Sequence, residues 1–415
     1  MSTYDVIVVG GGIGGPALAT VLARAKLSVL LLEQSEVYAD RVRGEWIAPW
    51  GVAETKRLDI YKTLLAAGAH HLTRHVTYGE SVRPKDAEAH ALNMGIFFPE
   101  IAGPLTIGHP KHCQTLFDAA LAAGADGRRG ANVTEVTLGA EPSVTFIDHN
   151  GPQTARARLV VGADGRTSTV REVARVELHQ DPPHHWFAGL LVEGAEGWDA
   201  DVQAIGTEGD FSYLAFPQGG GRVRVYGGYA LDQARRFKGP DGARRFLDSF
   251  AMECAPANQA LVAGRPAGPL LSYINADSWT DEPYAQGAVL VGDAAGWNDP
   301  ILGLGLSITY RDVRIVSDIL LASRDWSPQA FRPYAEERRE RMRRLRFAAT
   351  IQARLDMEFD PAARRRRERH HERSAADPSL SAYGVAIMGG PERAPAEVFT
   401  DANFARILDL EGAPR

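Results

Sequence analysis

Cysteine is scarce in this chain: Cys113 and Cys254 are the only two in 415 residues. That excludes a disulfide framework and suits a reducing compartment. Long hydrophobic runs are missing as well. The most apolar stretch, Val6 to Leu32, is broken by five clustered glycines and ends in Glu33. With no basic segment ahead of it, it reads neither as a secretory signal nor as a membrane span. Basic charge is not in excess either, with a net charge of −6 and a pI of about 6.1. Nothing draws the chain as a whole to nucleic acid or to an anionic membrane. A cytoplasmic protein with neither as a partner is expected. Two chemistries are also excluded. There is no G-x-S-x-G turn for a hydrolase nucleophile. His184-His185-Trp186 has no third ligand at metal spacing, so no metal is expected.

What is present is the composition of a soluble globular protein, 45% apolar and 24% charged. The length admits two domains or one large α/β unit carrying an inserted sheet. The first positive signal is N-terminal. Tyr4 to Val9 reads as a buried parallel strand, followed by Gly10-Gly-Gly12-Ile13-Gly14-Gly15 and a helical stretch, Pro16 to Arg24. A second strand, Leu27 to Glu33, comes next. This is G-x-G-x-x-G with an acid roughly 20 residues further on, the pattern of a dinucleotide-binding βαβ unit. Gly10 allows the tight turn, Gly12 a close pyrophosphate, and Gly15 the packing of helix on strand. The helix start at Ile13 and Gly14 turns free amides toward the phosphates. Pro16 in the first turn forfeits no hydrogen bond. Glu33 selects a free ribose diol, as in FAD or NAD, over a 2′-phosphate.

Two later segments distinguish these dinucleotides: Ala157 to Arg171, containing Gly162-Ala-Asp164-Gly165, and Ala288-Val-Leu-Val-Gly292-Asp293. With the fingerprint and Arg41-Val-Arg43-Gly44-Glu45, they resemble the para-hydroxybenzoate-hydroxylase-like FAD monooxygenases, the class A flavoprotein aromatic hydroxylases. The resemblance implies an α/β fold. A Rossmann-like FAD-binding domain with a parallel sheet would comprise residues 1–75, 109–178 and 279–325. An antiparallel substrate domain, 76–108 and 179–278, would be interleaved with it, and a helical region, 326–415, would follow. By the same resemblance, Asp293 bonds the ribityl chain, Glu33 the adenosine ribose, and Val136 meets adenine through its backbone. Asp164 lies by the pyrophosphate, where NAD(P)H is also handled, and Arg43 is a catalytic residue near the flavin. There are departures. Where relatives carry an arginine three residues before a leucine, this chain has Cys113 before Leu116, which leaves Gln114 as a candidate FAD contact. Relatives often have histidine where Gly296-Trp297 stands. Only one fingerprint is present, so NAD(P)H would bind transiently in a groove.

The segment GDAAGWNDPILGLGLS, Gly292 to Ser307, contains no histidine, cysteine or lysine to act as base or nucleophile. Ile301 to Leu321 reads as a helix after a turn at Trp297 to Pro300. Gly303 and Gly305 in its first turn cost about 1 kcal/mol each relative to alanine, so something is expected to approach the backbone around Leu304. The flavin pyrimidine edge fits there, its reduced anion stabilised by the helix N-terminus. Pro300 would sit at the reacting atoms.

Phe211 to Pro217 and Arg222 to Tyr229, joined by Gln218-Gly-Gly-Gly221, read as a hairpin. In the family such a sheet forms the substrate pocket, for which Trp46, Phe98, Tyr213, Phe216, Tyr226 and Pro300 are the candidates. Glu336 to Arg344 and Arg364 to Glu372 interleave arginine with acids at helical spacing and read as solvated helices. Phe347 and Leu355 offer an apolar face to the body or to a second subunit. The resemblance implies an NAD(P)H-dependent FAD monooxygenase in which O₂ adds at flavin C4a. The hydroperoxide would pass one oxygen atom to a small aromatic substrate. Substrate and O₂ are the expected partners, with room for a homodimer and for a separate flavin reductase. A flavin-dependent halogenase, an isoprenoid double-bond reductase and a non-catalytic flavin sensor are the alternatives. The W-x-W-x-I-P motif of tryptophan halogenases is absent.

Overall fold

A computed structural model describes residues 2–410. Its two largest sheets follow different rules. The first runs in the order Tyr284–Ala285, Ala288–Leu290, Gly151–Gly162, Ser2–Val9, Val29–Glu33, Asp126–Arg129. From Ala288–Leu290 onward every neighbour is parallel. Its central strands alternate between two cores, Val6, Val8 and Leu31 facing one and Ile7, Val9, Leu30 and Leu32 the other. Burial on both faces is why these strands are almost continuously apolar in sequence. An antiparallel hairpin, Asn132–Thr137 with Ser143–Asp148, branches from Gly151–Gly162.

The second sheet contains His185–Glu193, Val223–Tyr229, Phe211–Pro217, Val202–Glu208 and Arg74–Gly79 in that order, with Leu271–Asn275 also paired to His185–Glu193. It is antiparallel apart from the pairing of Val202–Glu208 with Arg74–Gly79. The expected hairpin is present. Gln218 N donates to Arg222 O at 2.8 Å, and Gly219, Gly220 and Gly221 turn with φ of +77°, +60° and +68°, a region that residues with a Cβ avoid. Side chains on this sheet alternate between faces. Phe211, Tyr213 and Ala215 pack with Phe246 and Phe250, while Leu214 and Phe216 face the opposite way.

The C-terminal region is helical, with Arg332–Asp356 and Pro361–Ala376 as its longest elements. Asp360 caps the latter by accepting from the amides of Ala362 and Ala363. The expectation of solvated helices needs correcting for the first of them. Arg338 and Arg341 are 1% and 3% exposed, because they share a face with Tyr334, Met342 and Leu345 and are neutralised there by Asp312. Phe347 meets Phe399 and Phe404 edge-on, and Leu355 is buried, so this face docks on its own chain. A second correction concerns the helix expected from Ile301. It starts at Gly305, after a 3-10 turn at Pro300–Leu302, because Gly303 takes a φ of +68° and breaks the helical path. Among the described residues no helix is long and apolar enough to cross a membrane.

Candidate functional site

The carboxyl ends of the parallel strands and one face of the second sheet enclose a cavity of about 580 Å³. Its first end is built by the fingerprint. Gly10 has a φ of +108°, and a Cβ at Gly15 would stand 1.9 Å from the Gly10 carbonyl oxygen. The helix Gly14–Arg24 therefore starts directly on the end of the strand. Gly12 differs: a Cβ there would meet nothing within 4 Å, since the residue borders the cavity. Glu33 is 8% exposed. It accepts from Gly11 N at 2.8 Å and from Ser35 N at 2.7 Å. Tyr38, whose hydroxyl donates to Gly11 O at 2.5 Å, closes this end, its ring backed by Arg129 at 4.2 Å.

Charge concentrates in the middle. Arg41, Arg43 and Arg166 line the cavity with Asp164 and Asp293. Asp164 accepts from Ser168 Oγ at 2.5 Å, and burial raises its pKa. Asp293 accepts from Arg166 Nε at 3.3 Å. Arg43 stands 5.7 Å from the Tyr273 ring, and burial, with Arg166 nearby, lowers its pKa. Glu45 turns to the second sheet instead, 3.2 Å from Arg224 Nε, and accepts from the Tyr226 hydroxyl at 2.5 Å. Burial pushes Glu45 up, and Arg224 opposes that shift. Cys113 also lines this region, 3.5 Å from His109 Nε2. Burial pushes its thiol to about 12, which keeps it protonated and unreactive near neutrality.

The far end starts with a second bare helix start. Gly305 borders the cavity, and a Cβ there would also meet nothing within 4 Å. Gly303 is fitted against Trp46, with 3.1 Å between its ideal Cβ and the ring. Beyond lies a largely aromatic wall of Trp46, Phe187, Leu214, Phe216 and Tyr226, and Trp297, Asn298 and Pro300 are also on the lining. Trp46 and Phe216 are 5.8 Å apart, Phe216 and Tyr226 6.2 Å. Two open glycine cradles at helix starts, an acid beside one and Asp293 near the other, suit a long dinucleotide with a phosphate-bearing middle. The residues present fit FAD.

Of the residues singled out in sequence, the cavity brings together Gly10, Gly12, Ile13, Gly14, Glu33, Arg43, Trp46, Asp164, Phe216, Tyr226, Asp293, Pro300, Gly303 and Gly305. Others stand apart from its lining. Gly15 supports from behind. Gln114 lies between Asp118 and Arg129, while Cys113 and His109 on the same helix reach the cavity. Val136 packs in the core, and Ala131 to Val133 take its expected place on the lining. Leu304 is buried in the core and Phe98 lies beneath Arg393. Tyr213 is on the opposite face of its strand, against Phe250. Strand alternation would have exchanged Tyr213 for Leu214. No local pattern marks Tyr38 or Asn298.

Comparison with known proteins bears on the family and the fold. The chain is 26% identical over 371 residues to the 3-demethoxyubiquinol 3-hydroxylase of Escherichia coli, covering 85% of this chain and 88% of that protein. It is 25% identical over 331 residues to the menaquinone reductase of Mycolicibacterium smegmatis, covering 76% of each. Its fold superposes with a TM-score of 0.77 on p-nitrophenol 4-monooxygenase from Pseudomonas putida, at 19% identity, covering 93% of this chain and 97% of that one. A family model described as an FAD binding domain matches residues 3–349. The chain therefore belongs to the FAD binding domain family of flavoprotein oxidoreductases, and FAD is its cofactor.

Proposed function

We propose that this protein is a monooxygenase that uses NAD(P)H and O₂ to insert one oxygen atom into a neutral aromatic substrate, a phenol or a quinol. The observation that carries this reading is the wall of Trp46, Phe187, Phe216 and Tyr226, continuous with the cofactor cavity. Arg224 is 1% exposed and held by Asp40 at 2.6 Å and Glu45 at 3.2 Å. Arg224, behind the wall, is thus committed to carboxylates of its own chain rather than to one on the substrate. Two relatives and one structural neighbour are named for ring substrates, a quinol hydroxylase, a quinone reductase and a nitrophenol monooxygenase, while others are named for squalene and geranylgeranyl lipids.

Bound FAD supplies the oxygen-activating chemistry. The chain binds it at both helix starts, and Trp46, Phe216 and Pro300 exclude water and orient the substrate. The Tyr226 hydroxyl, already donating to Glu45, has a lone pair left to accept from a substrate hydroxyl. Arg41 and Arg43 have no carboxylate at ion-pair distance among the described residues, which supports brief docking of an anionic reductant. The menaquinone reductase relative favours one rival, a reductase with no oxygen insertion. NAD(P)H and O₂ consumption should be followed with phenols and quinols as substrates. Substrate-stimulated uptake of O₂ with a hydroxylated product supports monooxygenation. Oxidation of NAD(P)H that tracks substrate reduction without O₂ uptake supports the rival. Turnover only with flavin reduced by a second protein would assign reduction to a separate reductase.

A further inference from the structure

We infer that Arg338, on the helix Arg332–Asp356, is a positioning residue of the FAD site that holds the loop Gly292–Gly296 so that Asp293 faces the cofactor. This depends on FAD binding and not on which reaction follows. Arg338 is 1% exposed. Its Nη1 donates to Ala295 O at 2.8 Å, and its Nη2 to Gly296 O at 2.9 Å and Gly292 O at 3.3 Å. Its Nε donates to Asp312 Oδ2 at 3.1 Å, and the same oxygen accepts from Gly292 N at 2.9 Å. The peptide groups of the loop are thus tied at both ends by one buried ion pair. Arg171 Nη1 and Thr280 Oγ1 donate to Ala295 O as well, at 3.0 and 2.9 Å.

The loop needs such a partner because of its own shape. Gly292–Ala295 is a single 3-10 turn that ends at Gly296, where φ is +106°, so the carbonyls of Ala295 and Gly296 lie past its last hydrogen bond, and buried carbonyls require donors. A guanidinium with five N–H groups can serve three of them and a carboxylate together. Burying that charge is costly, and an apolar side chain would fill the slot more cheaply if packing alone were required. Ala294 and Ala295 are fully buried, while Asp293 lines the cavity. Holding the backbone therefore sets where that carboxylate sits.

The test is a titration of the FAD-free full chain with FAD, read by flavin fluorescence. Arg338→Met should weaken affinity about tenfold or more, and Arg338→Lys less, since an ammonium serves fewer carbonyls. Asp312 keeps Arg341 at 2.6 Å, so the Met variant leaves no unpaired buried carboxylate. Arg339→Ala, half exposed on the same helix, should stay within about twofold of the unaltered chain. The readout that general destabilisation would not produce is a cycle with Asp293→Ala. The double variant should bind no worse than Asp293→Ala alone, within about twofold, because Arg338 acts through Asp293. Additive losses, or unaltered affinity in Arg338→Met, would overturn the inference. Should Arg338→Met not fold, the cycle is run with Arg338→Lys and judged by the same criterion. If the unaltered chain takes up no FAD, cofactor assignment fails first, and the two failures are distinct.

Discussion

Glycine is asked for three different things around this cavity, and a single added methyl group separates them. At Gly15 a Cβ would collide with the Gly10 carbonyl oxygen at 1.9 Å, so Gly15→Val should destabilise the fold itself. At Gly12 and Gly305 a Cβ meets nothing, yet it would occupy space that FAD needs. Gly12→Val and Gly305→Val should therefore leave the melting temperature of the FAD-free chain within a few degrees of the unaltered value. Both should lose about 100-fold or more in FAD affinity, roughly 3 kcal/mol. Thermal melts of the FAD-free chains beside FAD titrations check this. Equal destabilisation by all three would show that Gly12 and Gly305 are packing glycines. Of the three roles, that of Gly10 and Gly15 was legible in the fingerprint because it depends on neighbours within a few residues. Gly303 was only half legible: its cost to a helix was visible, but its left-handed φ moves the helix start from Ile301 to Gly305.

Among elements, what could be read in sequence is what repeats locally. The strand-turn-helix of the fingerprint, the glycine-turned hairpin and the helical tail all follow from spacing and turn chemistry. Which face of an element meets the cavity depends on what lies beside it, and there the sequence reading went astray. Tyr213 and Phe216 are three apart on one strand and cannot share a face; Leu214 and Phe216 do. Gln114 lies one step around its helix from Cys113. Arg338 and Arg341 have the spacing of solvated charges, and only the neighbouring helix, through Asp312, makes them internal. The sheet makes its own prediction. Leu214→Arg places a cation in the aromatic wall, which should weaken binding of neutral phenols about tenfold while leaving FAD affinity unchanged. Steady-state KM and flavin titration measure the two effects. Unchanged KM for neutral substrates would remove this wall from the substrate site.

Across the whole molecule, two buried histidines, His112 and His185, and two half-buried ones, His75 and His109, shape the expected response to acid. His75 and His109 are held at about 4 by burial, and His112 and His185 at about 3. Unfolded histidines titrate near 6.5. The stability these groups contribute is complete above that value and is lost as pH falls toward 4 and 3. Asp277 and Asp299 work in the other direction. Burial raises them to about 6 and about 7, so in the fold they keep protons that the unfolded chain releases, and they favour the fold as pH falls from 7 to 4. Four histidines against two acids leave the unfolded chain binding about two more protons between pH 6 and 4.5. From these six groups, stability to urea should therefore fall by about 3 kcal/mol per unit of pH across that window. A flat or rising profile there would mean that these histidines are reached by water in solution.

The most direct measurement is the binding of FAD by the purified full chain. The FAD-free protein, titrated with FAD and followed by absorbance and flavin fluorescence, should turn yellow and saturate at one FAD per chain. Asp293→Ala, in the middle of the cavity, and Gly12→Val, at its first end, should each weaken that uptake. A colourless chain that takes up no FAD, or uptake indifferent to both substitutions, would contradict the assignment of the cavity.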